Sequence, residues 1–263
     1  MDYSTLRRMS EDAFEKVFLG NLYDSPDFIV NIAKGHAKEI HIGKHDMELI
    51  ARNVKENVSS ATSFIDNESF IGSLQDILDF NTSKIYNWIQ SNPKDFDNRR
   101  DYNEIAFSQD LGCGSIGYGF NKGDMTRYNI SGIRVVLSRD TTGASPLGFY
   151  LSTAYPDITM SEKSDISYSY ADIIKKSENV LTPMERLYID ARGKGLNACL
   201  QYVEDKQQVR IMEVLENKDV IYAYFTENDY SIKLADENGK RKIDTATLLY
   251  LTDKGKDIVS LEK

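Results

Sequence analysis

The chain has 263 residues, of which 41% are hydrophobic and 28% charged, a composition that fits one large or two modest folded domains and excludes wholesale disorder. No apolar run approaches the roughly 20 residues of a membrane span, and residues 1–20 lack the apolar core of a signal peptide, so a cytoplasmic protein is expected, with secretion by a delivery system as the open alternative. The net charge of −9, from 32 basic and 41 acidic residues, excludes a protein that coats nucleic acid non-specifically but leaves room for a local basic site.

Ser10-Glu11-Asp12 is a helix start for a segment carrying Phe14, Val17 and Phe18, with Gly20-Asn21 as its end. Residues 46–54 place Met47, Ile50 and Val54 on one helical face after the polar turn Gly43-Lys44-His45. Between Asn67 and Gln90, Phe70, Leu74, Ile77, Leu78, Ile85, Trp88 and Ile89 follow helical spacing, which predicts two helices broken near Asn81. A polar loop is expected over 92–101. Residues 112–123 are glycine-dense, and Ile133–Leu137 and Gly148–Thr153 read as strands around the turn 140–143. Helices first and strands later predict an α+β domain over residues 1–157.

Beyond it, Tyr170–Lys176 reads as a helix, and Thr182-Pro183-Met184-Glu185 is a capped helix start that runs toward Gly193 and Gly195. Residues 209–215, 220–226, 230–234 and 246–251 are strand-like, with hairpin turns at Asn217-Lys218 and Asn238-Gly239. A smaller α+β module is therefore expected over residues 158–263. The two cysteines, Cys113 and Cys199, are too few for a disulfide framework.

All three histidines, His36, His41 and His45, fall within one short stretch. His41 and His45 have the spacing of a helical metal-ligand pair, but Gly43 lies between them and no third ligand is indicated, so no metal is expected. Two readings stay open: exposed histidines of no consequence, and acid/base catalysis near neutral pH. Lys34, Lys38 and Lys44 surround them with Glu39 as the one acid between, and Arg52 follows on the next helix, a local excess of positive charge suited to phosphate.

Gly112-Cys113-Gly114-Ser115-Ile116-Gly117 has the letters of a dinucleotide fingerprint. No apolar strand is expected before it and no helix after it, so no nucleotide cofactor is expected. In Ser152-Thr153-Ala154-Tyr155-Pro156, alternation puts Thr153 and Tyr155 on one strand face. There they are either an ordinary strand end or hydrogen-bonding groups for phosphate or bases.

Several blocks together resemble a known family. Gly35-His36, Ile40-His41-Ile42-Gly43-Lys44, Glu48-Leu49-Ile50-Ala51-Arg52, residues 60–66, Ile85-Tyr86-Asn87-Trp88-Ile89, residues 134–140 and residues 152–156 look like the bacterial ribonuclease A-like toxin domain, the C-terminal nuclease of some contact-dependent growth inhibition proteins. The resemblance covers roughly residues 34–157. It implies a kidney-shaped α+β fold, N-terminal helices then an antiparallel sheet. It also implies a metal-independent endoribonuclease that needs no cofactor and has RNA, such as tRNA, as substrate and a cognate immunity protein as partner. Carried over by position, it implies His41, Arg52, Thr153 and Tyr155 as catalytic residues. Lys44 and His36 become substrate-binding residues; His36 matches the family's Gly-His but not its catalytic position.

RNA cleavage by internal transfer needs a base for the 2′-hydroxyl, an acid for the leaving oxygen and a cation for the phosphorane. His41 is the proton-transfer group in this set, and the second one is unidentified. In the family the domain ends the chain, whereas here about a hundred residues follow Asp157. The expectations are therefore a toxin or defence effector, a catalytically silent RNA- or protein-binding module that kept the fold, or a nuclease restrained by residues 158–263.

Overall fold

The computed structural model describes residues 6–24, 41–112, 114–140, 145, 147–177, 179–193, 195–203, 206–214, 220–226 and 229–236. The chain divides into two compact units, Met1–Leu49 with Ser60–Ile166, and Ile50–Ser59 with Ser167–Lys263.

In the first unit, helix α1 (Glu11–Asp24) starts where expected, with the Ser10 hydroxyl accepting from Ala13 N at 3.3 Å. It continues past Gly20 because Leu22 completes the buried face begun by Phe14 and Phe18. Helix α2 (Asp46–Lys55) follows, and its residues from Ile50 onward belong to the second unit. Strand β1 (Ser60–Phe64) comes next, then helices α3 (Asn67–Phe80) and α4 (Thr82–Gln90). The break at Asn81 is chemical: Asn81 Nδ2 donates to Ile77 O at 2.8 Å, and the Thr82 hydroxyl donates to Leu78 O and Asp79 O. Side chains thus satisfy carbonyls that the interrupted helix leaves unpaired. The expected polar loop contains a 3₁₀ turn (Pro93–Asp95) and the start of helix α5 (Arg99–Asn103), whose Asn98 cap accepts from Asp101 N.

Strands β2 (Glu104–Asp110), β3 (Gly117–Asn121), β4 (Thr126–Ile130), β5 (Gly132–Arg139), β6 (Phe149–Pro156) and β7 (Ser161–Ser167) complete this unit. They make two sheets, ordered β1-β3-β4-β7 and β2-β5-β6. Ala154 of β6, Val135 and Leu137 of β5, and Phe149 and Leu151 of β6 face a core shared with Phe14, Phe18, Phe70, Leu74, Ile77, Ile85 and Trp88. Each large side chain buried there contributes about 1.5–3 kcal/mol.

An irregularity in β6 positions two of the candidate site residues. Leu151 pairs with Leu137 and Thr153 with Val136, leaving Ser152 as an extra residue. This bulge switches the phase of the strand. Phe149 and Leu151 are buried before it, Ala154 and Pro156 after it, and Thr153 and Tyr155 fall together on the half-buried face.

The second unit contains helices α6 (Tyr170–Lys176) and α7 (Pro183–Gly193) and an antiparallel sheet ordered β11-β10-β9-β8, from β8 (Asn197–Val203), β9 (Lys206–Val214), β10 (Val220–Thr226) and β11 (Asp229–Asp236). Met184, Leu187 and Ala191 of α7 pack with Ala198, Val209 and Ile211 of the sheet. Thr182 and Glu185 cap α7 reciprocally: Glu185 Oε2 accepts from Thr182 N at 2.8 Å, and the Thr182 hydroxyl accepts from Glu185 N at 3.2 Å. The expected strand at 246–251 and the turns at 217–218 and 238–239 lie outside the described residues, as do residues 141–143 of the first unit's turn.

Helices beside antiparallel sheets make the fold α+β, as expected. Among the described residues, no helix is long and apolar enough to cross a membrane.

Candidate active site

His41 opens a five-residue segment laid along β1 of the first unit. Ile42 forms a parallel bridge to Phe64, and Gly43 N donates to Phe64 O at 3.3 Å. Gly43 has φ +64°, a left-handed turn that a glycine adopts without strain. Lys44 N donates to the Ser63 hydroxyl at 3.0 Å, and the Tyr118 phenol donates to Lys44 O at 2.6 Å. Arg127 covers that phenol ring at 4.0 Å and reaches Asp46 at 3.8 Å. His45 N then donates to Glu48 Oε2 at 2.7 Å, which starts α2.

The His41 ring is oriented by the main chain. Its Nδ1 lies 3.0 Å from Thr62 O, and because a carbonyl oxygen only accepts, Nδ1 carries the proton. In the neutral ring the lone pair is then on Nε2, the arrangement of a base that can become an acid. On the other side of β1, Gly119 faces Thr62 across the β1–β3 pair and admits β1 closely. A Cβ on Gly119 would meet Ala61 O at 2.6 Å and Thr62 Cγ2 at 2.7 Å.

Strand β6 brings the second component. The His41 and Tyr155 rings lie 5.5 Å apart, 29° from parallel, and Thr153 is on the same face of β6 as Tyr155. Burial raises the Tyr155 phenol above its ordinary pKa, the charge of Arg134 opposes the rise and Asp157 adds to it. The phenol therefore stays protonated through neutral pH and is a hydrogen-bond donor rather than an anion. A raised value also means that stability tied to this proton is present below the ordinary phenol range and lost only as pH rises through the raised one. Tyr155→Phe should accordingly slow RNA cleavage about tenfold without moving the alkaline limb of the pH–rate profile below about pH 9. A limb displaced in that variant would show that the phenol titrates as the base.

The sequence-derived residues divide as follows. His41, Lys44, Thr153 and Tyr155 belong to the first unit, and His41 and Tyr155 are in ring contact. Arg52 belongs to the second unit, where its Nε donates to Glu56 Oε2 at 2.8 Å. Its Nη1 is buried with no hydrogen-bond partner among the described residues. His36, Lys34 and Lys38 lie outside the described residues.

Sequence reasoning missed Thr62, Tyr118, Arg127 and Arg134. Thr62 acts through its carbonyl, which no side-chain pattern announces. Arg134 sits on a strand that was expected, but its partner across the sheet depends on register.

The glycine-rich segment is followed by β3 rather than by a helix, so it presents no helix N-terminus to a diphosphate. The strand before it, β2, has only Phe107 buried among its seven residues and is not the apolar strand of such a fingerprint. Gly112, Gly114 and Ser115 line a cleft with the carboxylates of Asp110 and Glu162, which disfavour phosphate. Among the described residues, no group of three or more His, Cys, Asp or Glu side chains is placed to hold a metal ion.

Residues 35–156 match the family model described as the bacterial CdiA-CT RNAse A domain. This is the segment that carries the resemblance, and over it the resemblance holds. Among solved structures, the crystal structure of a CdiA-CT/CdiI complex from Y. kristensenii 33638 is similar at 25% identity, covering 47% of this chain and 99% of that one, with a TM-score of 0.40. Comparison with curated proteins finds no match. The match spans 122 of the 263 residues, and the family it describes is one of ribonuclease toxin domains.

Proposed function

We propose that this protein is a metal-independent endoribonuclease that cleaves RNA by attack of a 2′-hydroxyl on its own 3′-phosphate, and that it acts as a growth-inhibiting toxin or defence effector on a structured RNA such as tRNA. The observation that carries the reading is a histidine held by a main-chain carbonyl, 3.0 Å from Thr62 O, with its ring beside Tyr155. His41 takes the 2′-hydroxyl proton, or returns one to the leaving 5′-oxygen. Tyr155, protonated at neutral pH, donates to a phosphate oxygen and can share proton transfer. Thr153, two residues away on the same face, hydrogen-bonds phosphate or a base edge. Lys44 adds positive charge beside His41.

Arg52 as the cation that stabilises the phosphorane, and His36 as a substrate contact, rest on the resemblance alone. So does a cognate immunity protein as partner, whereas a nuclease domain of residues 1–157 followed by a separate module over 158–263 rests on the order of helices and strands in the sequence. Incubating the purified protein with total RNA in excess EDTA tests the reading. Fragmentation that survives chelation is expected. A protein that binds RNA and leaves it intact is instead a silent module that kept the fold.

A further inference from the structure

An acidic nuclease must hold an RNA chain beyond the single phosphate it cleaves, and the sheet β2-β5-β6 offers a means. Its register places Ser108, Arg134 and Tyr155 directly across from one another on three neighbouring strands. Residues directly opposite across antiparallel strands project to the same face, and the burial pattern identifies that face as the open one. Phe107, Ile133, Val135 and Ala154 are buried, whereas Arg134 and Tyr155 are half-buried and Ser108 is exposed. Tyr155 ties this row to His41 through their ring contact.

We propose that Arg134, aimed by Ser108 and flanked by Tyr155, forms a subsite for a phosphate of single-stranded RNA adjacent to the one being cleaved. The proposal rests on the ribonuclease reading for its substrate, but its geometry is independent of Arg52 and His36.

Three observations support it. Arg134 Nη1 donates to the Ser108 hydroxyl at 2.9 Å, which uses one of five guanidinium donors and points the fork along the sheet. Among the described residues Arg134 forms no ion pair, whereas Arg52, Arg100 and Arg127 each face a carboxylate. The adverse charge closest along β6, Asp157, is engaged in its own turn, where Oδ1 accepts from Thr159 N at 3.1 Å and from the Thr159 hydroxyl at 2.6 Å. Arg134 stands one strand spacing, about 5 Å, from Tyr155, and its long side chain is drawn away from Tyr155 toward Ser108, so its fork meets a phosphate beside the one at His41 and Tyr155. A planar cation with spare donors is suited to two phosphate oxygens at once.

The test is a salt titration of binding to a fluorescent 2′-O-methyl RNA of about ten nucleotides, which lacks the attacking hydroxyl and stays intact. Each phosphate contact in a single strand contributes about −0.7 to the slope of log K against log salt. Arg134→Gln should weaken binding about tenfold and reduce the slope by about 0.7, and Arg134→Lys should restore the slope. Ser108→Asp, which sets a carboxylate against an intact Arg134, should reduce the slope as Arg134→Gln does and keeps the test alive if that variant unfolds.

A wild-type slope unchanged in Arg134→Gln and Ser108→Asp overturns the subsite. So does a slope lost in a folded Arg134→Lys, which would mean that Arg134 is only structural, and so does a wild-type protein that does not bind the RNA. Cleavage of total RNA is followed in parallel. Cleavage with an Arg134-independent slope defeats the subsite alone, and an Arg134-dependent slope without cleavage defeats the catalytic reading alone.

Discussion

His41→Ala is expected to slow RNA cleavage by about a hundred- to ten-thousand-fold, the range for loss of one general acid/base group. The loss should lie in kcat, because the ring acts on protons that move in the transition state. Folding should be affected far less than activity: the side chain is half-buried, and its losses include the hydrogen bond to Thr62 O and the ring contact with Tyr155. His45, whose side chain is exposed and whose main-chain N–H serves the start of α2, is the comparison. His45→Ala should cleave at the wild-type rate. Near-wild-type cleavage by His41→Ala, measured on a labelled oligonucleotide, would remove His41 from the mechanism.

The second large effect is on stability. Arg139 is buried between the rings of Trp88 and Tyr102, with its guanidinium carbon 4.6 and 4.2 Å from their centroids. Its Nε donates to Tyr102 O at 2.6 Å, and its remaining nitrogens reach Trp88 O, Ile89 O and the Ser91 hydroxyl. Two of these acceptors are carbonyls at the C-terminus of α4, where a cation also complements the helix dipole. Arg139→Ala removes the donors and leaves those carbonyls buried, at roughly 1–3 kcal/mol for each one left unsatisfied. A loss of about 3 kcal/mol or more is expected, seen as a fall of roughly 6–12 °C in Tm. A melting midpoint within ~2 °C of wild type would show that the groups are met by water. The residues 134–140 that carried part of the resemblance thus contain two different arginines. Arg139 holds a helix to a sheet, and Arg134 faces outward.

The helices were legible in the sequence where burial imposes a period. Phe70, Leu74, Ile77 and Leu78, then Ile85, Trp88 and Ile89, mark α3 and α4, and Asn81 marks the break between them. The strands β1, β4 and β7 were not, and β3 was legible only as a glycine-permitted strand or loop. Ser60-Ala61-Thr62-Ser63-Phe64 has four of its five residues buried, with hydroxyl side chains among them, so it shows neither alternation nor an apolar run. Gly117-Tyr118-Gly119-Phe120-Asn121 lies in a segment whose glycines permit strand and loop alike, and it becomes a strand where Gly117 and Gly119 admit the neighbouring backbone.

The site was legible in part for the same reason. Alternation is local, so Thr153 and Tyr155 could be put on one face. The Ser108–Arg134–Tyr155 row and the Thr62 carbonyl at His41 depend on long-range pairing, which local pattern does not encode.

The acidity of the chain, −9 overall, coexists with a cationic group on the face that carries Tyr155. That combination is what an enzyme needs if it is to grip a few phosphates and release the product.

The measurement that tests the central claim most directly is the chemistry of the ends produced when the full-length protein acts on RNA in EDTA. Internal transfer predicts fragments ending in 2′,3′-cyclic phosphate with 5′-hydroxyl partners, formed by wild type and not by His41→Ala. Intact RNA, or fragments carrying 3′-hydroxyl and 5′-phosphate ends, would contradict it.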